Sequence, residues 1–127
     1  KCIPKMLADI KIKNILFLDI ETVPCAANFE DLDATFQKLW EEKTVWQRKE
    51  VYTPAEYYKI KGGIMAEFAK IICISVGYLF TEKSENHFRI KSFYGDDEKK
   101  IIADFNTLLN AQFNKKQHQL CAHSLTL

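Results

Sequence analysis

Residues 71–80, Ile-Ile-Cys-Ile-Ser-Val-Gly-Tyr-Leu-Phe, are apolar at odd and even positions alike and rich in β-branched side chains. Strand side chains alternate between faces, so this run predicts a central strand covered on both sides, which requires a layered fold built round a sheet. Residues 14–22, Asn-Ile-Leu-Phe-Leu-Asp-Ile-Glu-Thr, form a second apolar run that reads as a neighbouring buried strand. It closes on two carboxylates, Asp19 and Glu21, with one residue between them. Alternation projects both to one side, about 6.5–7 Å apart along the backbone, where one divalent cation could sit between them. An isolated buried carboxylate costs several kcal/mol, so acids at the end of a buried strand call for a partner or a metal. The competing reading is a solvated strand end carrying an accidental Asp-x-Glu.

After the first strand, Val23-Pro24 interrupts the extended pattern, because proline cannot donate to a ladder. From Asp31 onward, Leu32, Phe36, Leu39 and Trp40 recur at i, i+4, i+7 and i+8, predicting one face of an amphipathic helix with Asp31 and Asp33 in its first turn. Thr53-Pro54-Ala55-Glu56 combines a threonine N-cap, a proline at the first helical position and a glutamate three residues after the cap. That second helix is short, since Lys61-Gly62-Gly63 supplies a glycine stop. Residues 24–66 therefore read as a largely helical insertion.

Beyond the central strand, the polar residues 81–86 predict a hairpin connection to a third strand over 87–94. There Phe88, Ile90 and Tyr94 alternate with His87, Arg89 and Lys91, the pattern of an antiparallel edge strand whose charges blunt edge-to-edge pairing. Gly95-Asp96-Asp97-Glu98 opens a long helix with a buried stripe of Ile101, Ile102, Phe105, Leu108, Leu109 and Phe113. Residues 119–123, Gln-Leu-Cys-Ala-His, read as a fourth strand, reached through a helical crossover and so parallel to the first.

The chain of 127 residues, 47% of them hydrophobic, suits a single domain over 1–127. Eighteen basic against 17 acidic residues leave a formal charge of +1, so any nucleic-acid contact must be local. Cys2, Cys25, Cys73 and Cys121 form no Cys-x-x-Cys, which argues against a zinc knuckle or redox motif and suits a reduced, cytoplasmic setting. Apolar stretches fall far short of the roughly 20 residues needed to span a bilayer, so no membrane partner is expected. Met6 stands as a plausible translational start behind the leading lysine-containing segment.

Four segments in this order carry a resemblance: Leu16-Phe17-Leu18-Asp19-Ile20-Glu21-Thr22-Val23-Pro24, then Ala66-Glu67-Phe68-Ala69-Lys70 leading into the central strand, then Phe93-Tyr94-Gly95-Asp96-Asp97-Glu98, then Leu120-Cys121-Ala122-His123. Over roughly 12–123 the chain resembles the predicted 3′→5′ exonucleases related to the proofreading domain of family-B DNA polymerases, within the DEDD superfamily. The resemblance implies an α/β ribonuclease H-like mixed sheet: an antiparallel three-strand meander, a helix and a parallel fourth strand, incomplete at the C-terminus, with a helical insertion after strand one. It also implies Mg²⁺ or Mn²⁺ as cofactor in a two-metal site made by four acidic residues. Asp19 would bridge the metals, Glu21 would bind the one that activates water, and Ile20 and Thr22 would contact the terminal nucleotide. The implied partners are single-stranded DNA or RNA 3′ ends.

The family's second motif continues from His-Asn to Phe-Asp, whereas here Leu120-Cys121-Ala122-His123 runs into Ser124-Leu125-Thr126-Leu127. The third and fourth acids therefore have no counterpart, and Asp31, Asp33, Asp96, Asp97 and Asp104 lie on other elements. The expectation is little or no nuclease activity, and dimerisation through the truncated sheet edge at Leu120 and Cys121. His87, His118 and His123 read as structural or surface groups. Trp40, Trp46, Tyr52, Tyr57 and Tyr58 crowd the insertion and either pack its core or stack on unpaired bases. Lys43, Arg48, Lys49, Lys59 and Lys61 in the same region either meet a phosphate backbone or form a solvated helix face. The alternative to an exonuclease is thus a non-catalytic nucleic-acid-binding or protein-interaction module that works through the helical insertion.

Overall fold

Alternating hydrophobicity becomes a four-stranded mixed sheet in the computed structural model, which describes residues 10–122. Cys2, Met6 and His123 lie outside the described residues, as does the chain from 124 on. The strands are β1 (Ile15–Pro24), β2 (Ala69–Glu82), β3 (Glu85–Tyr94) and β4 (Gln119–Ala122), in spatial order β3-β2-β1-β4. β3 runs antiparallel to β2, and β4 runs parallel to β1, as the sequence predicts. Among the described residues there are three α-helices, α1 (Ala34–Arg48), α2 (Pro54–Lys61) and α3 (Glu98–Gln112), so the fold is α/β. The chain forms two compact units, 10–20 with 73–122 and Glu21–Ile72.

In the sheet unit the β2–β3 connection is tighter than the polar stretch suggests. Lys83 and Ser84 have φ of 49° and 67°, so a two-residue turn of the mirror-image type joins the strands, whose right-handed twist it matches. Pairing then runs from Glu82 opposite Glu85 to Cys73 opposite Tyr94. Ile74, Val76 and Tyr78 of β2 are buried together with Leu16 of β1 and Phe93 of β3. α3 covers this side. The Asp97 side chain caps it by accepting from the Lys100 amide, and its Ile101 and Leu108 are buried. Ring contacts between Tyr78 and Phe113 at 5.4 Å and between Phe93 and Phe105 at 6.3 Å fasten helix to sheet. Ile102 departs from the expected stripe: one residue, or 100°, past Ile101, it turns out of the contact and stays 45% exposed.

The opposite face of β2 carries Cys73, Ser75 and Gly77, and cover on both faces is not met within this unit. Phe17, Phe88, Ile90 and Cys121 join Ser75 and Gly77 in lining an open groove of about 400 Å³. Gly77 leaves room for an aromatic ring, since a Cβ there would lie 2.6 Å from Phe88 Cζ.

The helical unit is organised by Trp40, which is fully buried. Its ring meets Phe68 and Tyr58 edge-on at 4.9 and 5.1 Å, and its indole N–H donates to the Pro54 carbonyl at 2.9 Å. Phe29 and Leu32 complete the cluster. The helix predicted from Asp31 starts later. Asn28 and Asp31 instead close a capping box round a 3₁₀ turn over Phe29–Asp31, and Asp33 caps α1 by accepting from the Phe36 amide. The buried face of α1 is Trp40 and Thr44, while Phe36 and Leu39 are exposed. Thr44 is satisfied by donating to the Trp40 carbonyl at 2.7 Å and accepting from Arg48 Nε at 3.1 Å. The Thr53–Glu56 capping box forms as expected and holds the Glu56 carboxyl below its ordinary range through the bond from the Thr53 amide. Gly62 ends α2 in right-handed torsions. Its glycine is required by space, because a Cβ would lie 2.7 Å from the Tyr58 carbonyl oxygen.

Replacing Trp40 by alanine removes the ring that Tyr58 and Phe68 pack against and should cost about 3–5 kcal/mol, measurable by urea denaturation. The buried Tyr58 hydroxyl donates to the Ala26 carbonyl and accepts from the Ala26 amide, and burial pushes its pKa up. A raised native pKa favours the protonated phenol, so this contribution is complete below the ordinary tyrosine value and is lost as pH rises beyond it. Denaturation midpoints should be level up to about pH 9.5 and fall above about pH 10, with Tyr58→Phe flattening that fall.

Candidate functional site

β1 places the predicted residues because its first half is anchored. Leu16 is buried, and four consecutive positions, 15–18, pair with β4. Beyond that anchor Asp19, Ile20, Glu21 and Thr22 are all exposed. Asp19 lies at the rim of the open groove in the sheet unit, beside Phe17, Ser75 and Gly77. Glu21 opens the helical unit. Among the described residues neither carboxylate accepts a hydrogen bond or pairs with a cation. The Thr22 hydroxyl is engaged, donating to the Gly63 carbonyl.

Four of the other acids are committed locally. Asp33 and Asp97 are helix caps, Asp31 belongs to the Asn28 box, and Asp104 pairs with Lys100 at 2.6 Å. That pairing raises the Lys100 pKa. Among the described residues no group of three or more His, Cys, Asp or Glu side chains is gathered to hold a metal ion. His87 stacks on Phe80 at 5.3 Å, and His118 Nδ1 accepts from the Lys115 amide, so both are structural groups.

The aromatic and basic residues of the insertion divide as well. Trp40 and Tyr58 are core, Tyr57 packs against them, Tyr52 is exposed and Trp46 is 85% exposed. Lys43 pairs with Glu67 and draws that carboxyl's pKa down. Arg48 is spent on Thr44 and on the Glu41 and Tyr52 carbonyls, which secures the end of α1. Of the positive cluster, Lys43 is ion-paired, while Arg48 keeps its charge but is fixed in place at the end of α1.

The groove residues Phe17, Ser75, Gly77 and Phe88 and the acceptor Gly63 are read from sequence as strand and turn residues, and no pattern there assigns them to a site. They become visible only through strand register and a contact spanning 41 residues. Ser75 also links to Ser92 at 2.8 Å and to Cys73 at 3.6 Å, giving the groove a polar margin. No protein-family model matches this chain, nor does any curated protein or solved structure.

Proposed function

We propose that this chain derives from a metal-dependent 3′→5′ exonuclease of the DEDD superfamily, with a ribonuclease H-like arrangement of its sheet. The observation that carries the reading is the pair Asp19 and Glu21: exposed, without a protein partner among the described residues, and one residue apart on a strand flanked by β2 and the parallel β4. Side chains two positions apart on a strand share a face. Their oxygens suit a hard divalent ion; because both acids are exposed rather than buried, water also satisfies them, so the pairing on one face and not a desolvation cost supports the reading. Asp19 and Glu21 would hold Mg²⁺ or Mn²⁺, which when bound supplies an activated water and neutralises charge developing on a phosphodiester. Ile20 and Thr22 would meet the 3′-terminal nucleotide of single-stranded DNA or RNA through their backbone.

Cys25, Cys73 and Cys121 are free thiols, in keeping with a reducing, cytoplasmic setting. Among the described residues no helix is long and apolar enough to cross a membrane. Leu120 is exposed on the edge strand β4, the surface through which a homodimer would form. One observation favours the second reading, an interaction module. Leu39, Val45 and Trp46 are exposed on the outward side of α1, and aromatic anchors of this kind dominate protein interfaces.

Incubation with Mn²⁺ or Mg²⁺ and a 5′-labelled single-stranded oligonucleotide should shorten the labelled strand stepwise from its 3′ end, and Asp19→Ala should abolish that shortening. Binding without metal-dependent cleavage, unchanged in Asp19→Ala, would establish the module instead.

A further inference from the structure

Within the helical unit, Glu21 sits at the start of a strand segment whose next residue is tied to a hydrogen-bonded turn. Thr22 donates its hydroxyl to the Gly63 carbonyl. That turn is braced on both sides. Ile64 and Met65 donate to the Lys61 carbonyl at 3.0 and 3.3 Å, Met65 packs on the Trp40 cluster, and Phe68 donates to the Met65 carbonyl at 2.9 Å. Phe68 in turn accepts from the Cys25 amide at 2.8 Å, so the chain following Glu21 is pinned again three residues beyond Thr22. The approach is close. A Cβ on Gly63 would lie 3.0 Å from Pro24 Cδ and 3.3 Å from Pro24 N.

Alternation along β1 sends the Thr22 side chain to the face opposite Glu21. The hydroxyl can therefore hold the backbone that carries Glu21 without touching the carboxylate or anything bound to it. We infer that Thr22 is a positioning residue, which clasps the end of β1 to the Gly63 turn and so fixes Glu21 as a ligand for a divalent cation. The inference rests on the exonuclease reading above, and it gives the helical insertion a task within it: the aromatic cluster is the foundation of the clasp. With the backbone beneath Glu21 held in one place, a cation has only the carboxylate's own rotamers to order, which spends less of its binding energy.

The test is Mn²⁺ titration of the ¹⁵N-labelled full chain, read as paramagnetic broadening of the Asp19 and Glu21 amide resonances, for the wild type, Thr22→Val and Thr22→Ser. Valine keeps the shape and removes the donor; serine keeps the donor. The expected result is that Thr22→Val needs about two- to tenfold more Mn²⁺, the span corresponding to one lost hydrogen bond, and that its Glu21 amide is affected more than Asp19. Thr22→Ser should restore the wild-type titration. A folded Thr22→Val that titrates like the wild type would overturn the clasp alone. Absence of any Mn²⁺ effect on Asp19 and Glu21 in the wild type would remove the metal reading and the clasp together. A structural role without positioning would lower the melting temperature of Thr22→Val and leave the Mn²⁺ titration unmoved.

Discussion

Register along the β2–β3 hairpin decides what the sheet unit buries. Lys83 and Ser84 both take left-handed torsions, which limits the turn to two residues and sets Glu82 opposite Glu85. Ile74 then falls beside Phe93 on the helix side, and Gly77 beside Ile90 on the other. A slip by one residue would exchange the faces, placing Cys73, Ser75 and Gly77 under α3 and putting Ile74, Val76 and Tyr78 in water. Two glutamates facing each other at the hairpin's end work mildly against the observed pairing. The register is therefore held by turn geometry and by the burial of Ile74, Val76, Tyr78 and Phe93.

Much of this was legible beforehand, and the physical reason differs by element. The edge character of β3, the parallel β4, the Thr53–Glu56 box and the long helix after Asp97 all rest on local chemistry: alternation, caps and a crossover of sufficient length. Periodicity misjudged α1, because the Asn28–Asp31 box competes for its first turn and an aromatic cluster drawn from Phe29, Tyr58 and Phe68 selects Trp40 and Thr44 as the inward face. Both-sided apolarity of β2 was readable; that α3 alone supplies cover within the unit was not. Asp19 and Glu21 were placed by position on a strand. What surrounds them depends on residues 40 or more positions away, and no local pattern encodes the bond from Thr22 to Gly63.

The helical unit also changes how its charges are understood. A sequence scan groups Lys43, Arg48, Lys49, Lys59 and Lys61 as one basic cluster, yet Lys43 is paired with Glu67 and Arg48 closes the end of α1. The Glu67 partner offsets the charge of Lys43, whereas Arg48, bonded to neutral carbonyls, keeps its own. What remains prominent is apolar: Leu39, Val45 and Trp46 lie on the side of α1 away from Trp40.

The contrast between the chain's two tryptophans also has an optical consequence. Trp40 is shielded from water and Trp46 is open to it, and both belong to the helical unit. Tryptophan emission, excited selectively over tyrosine, therefore reports on that unit alone, with a blue, quencher-protected emitter beside a red, quencher-accessible one. Loss of the first while the second persists would signal melting of the aromatic cluster without any label being attached.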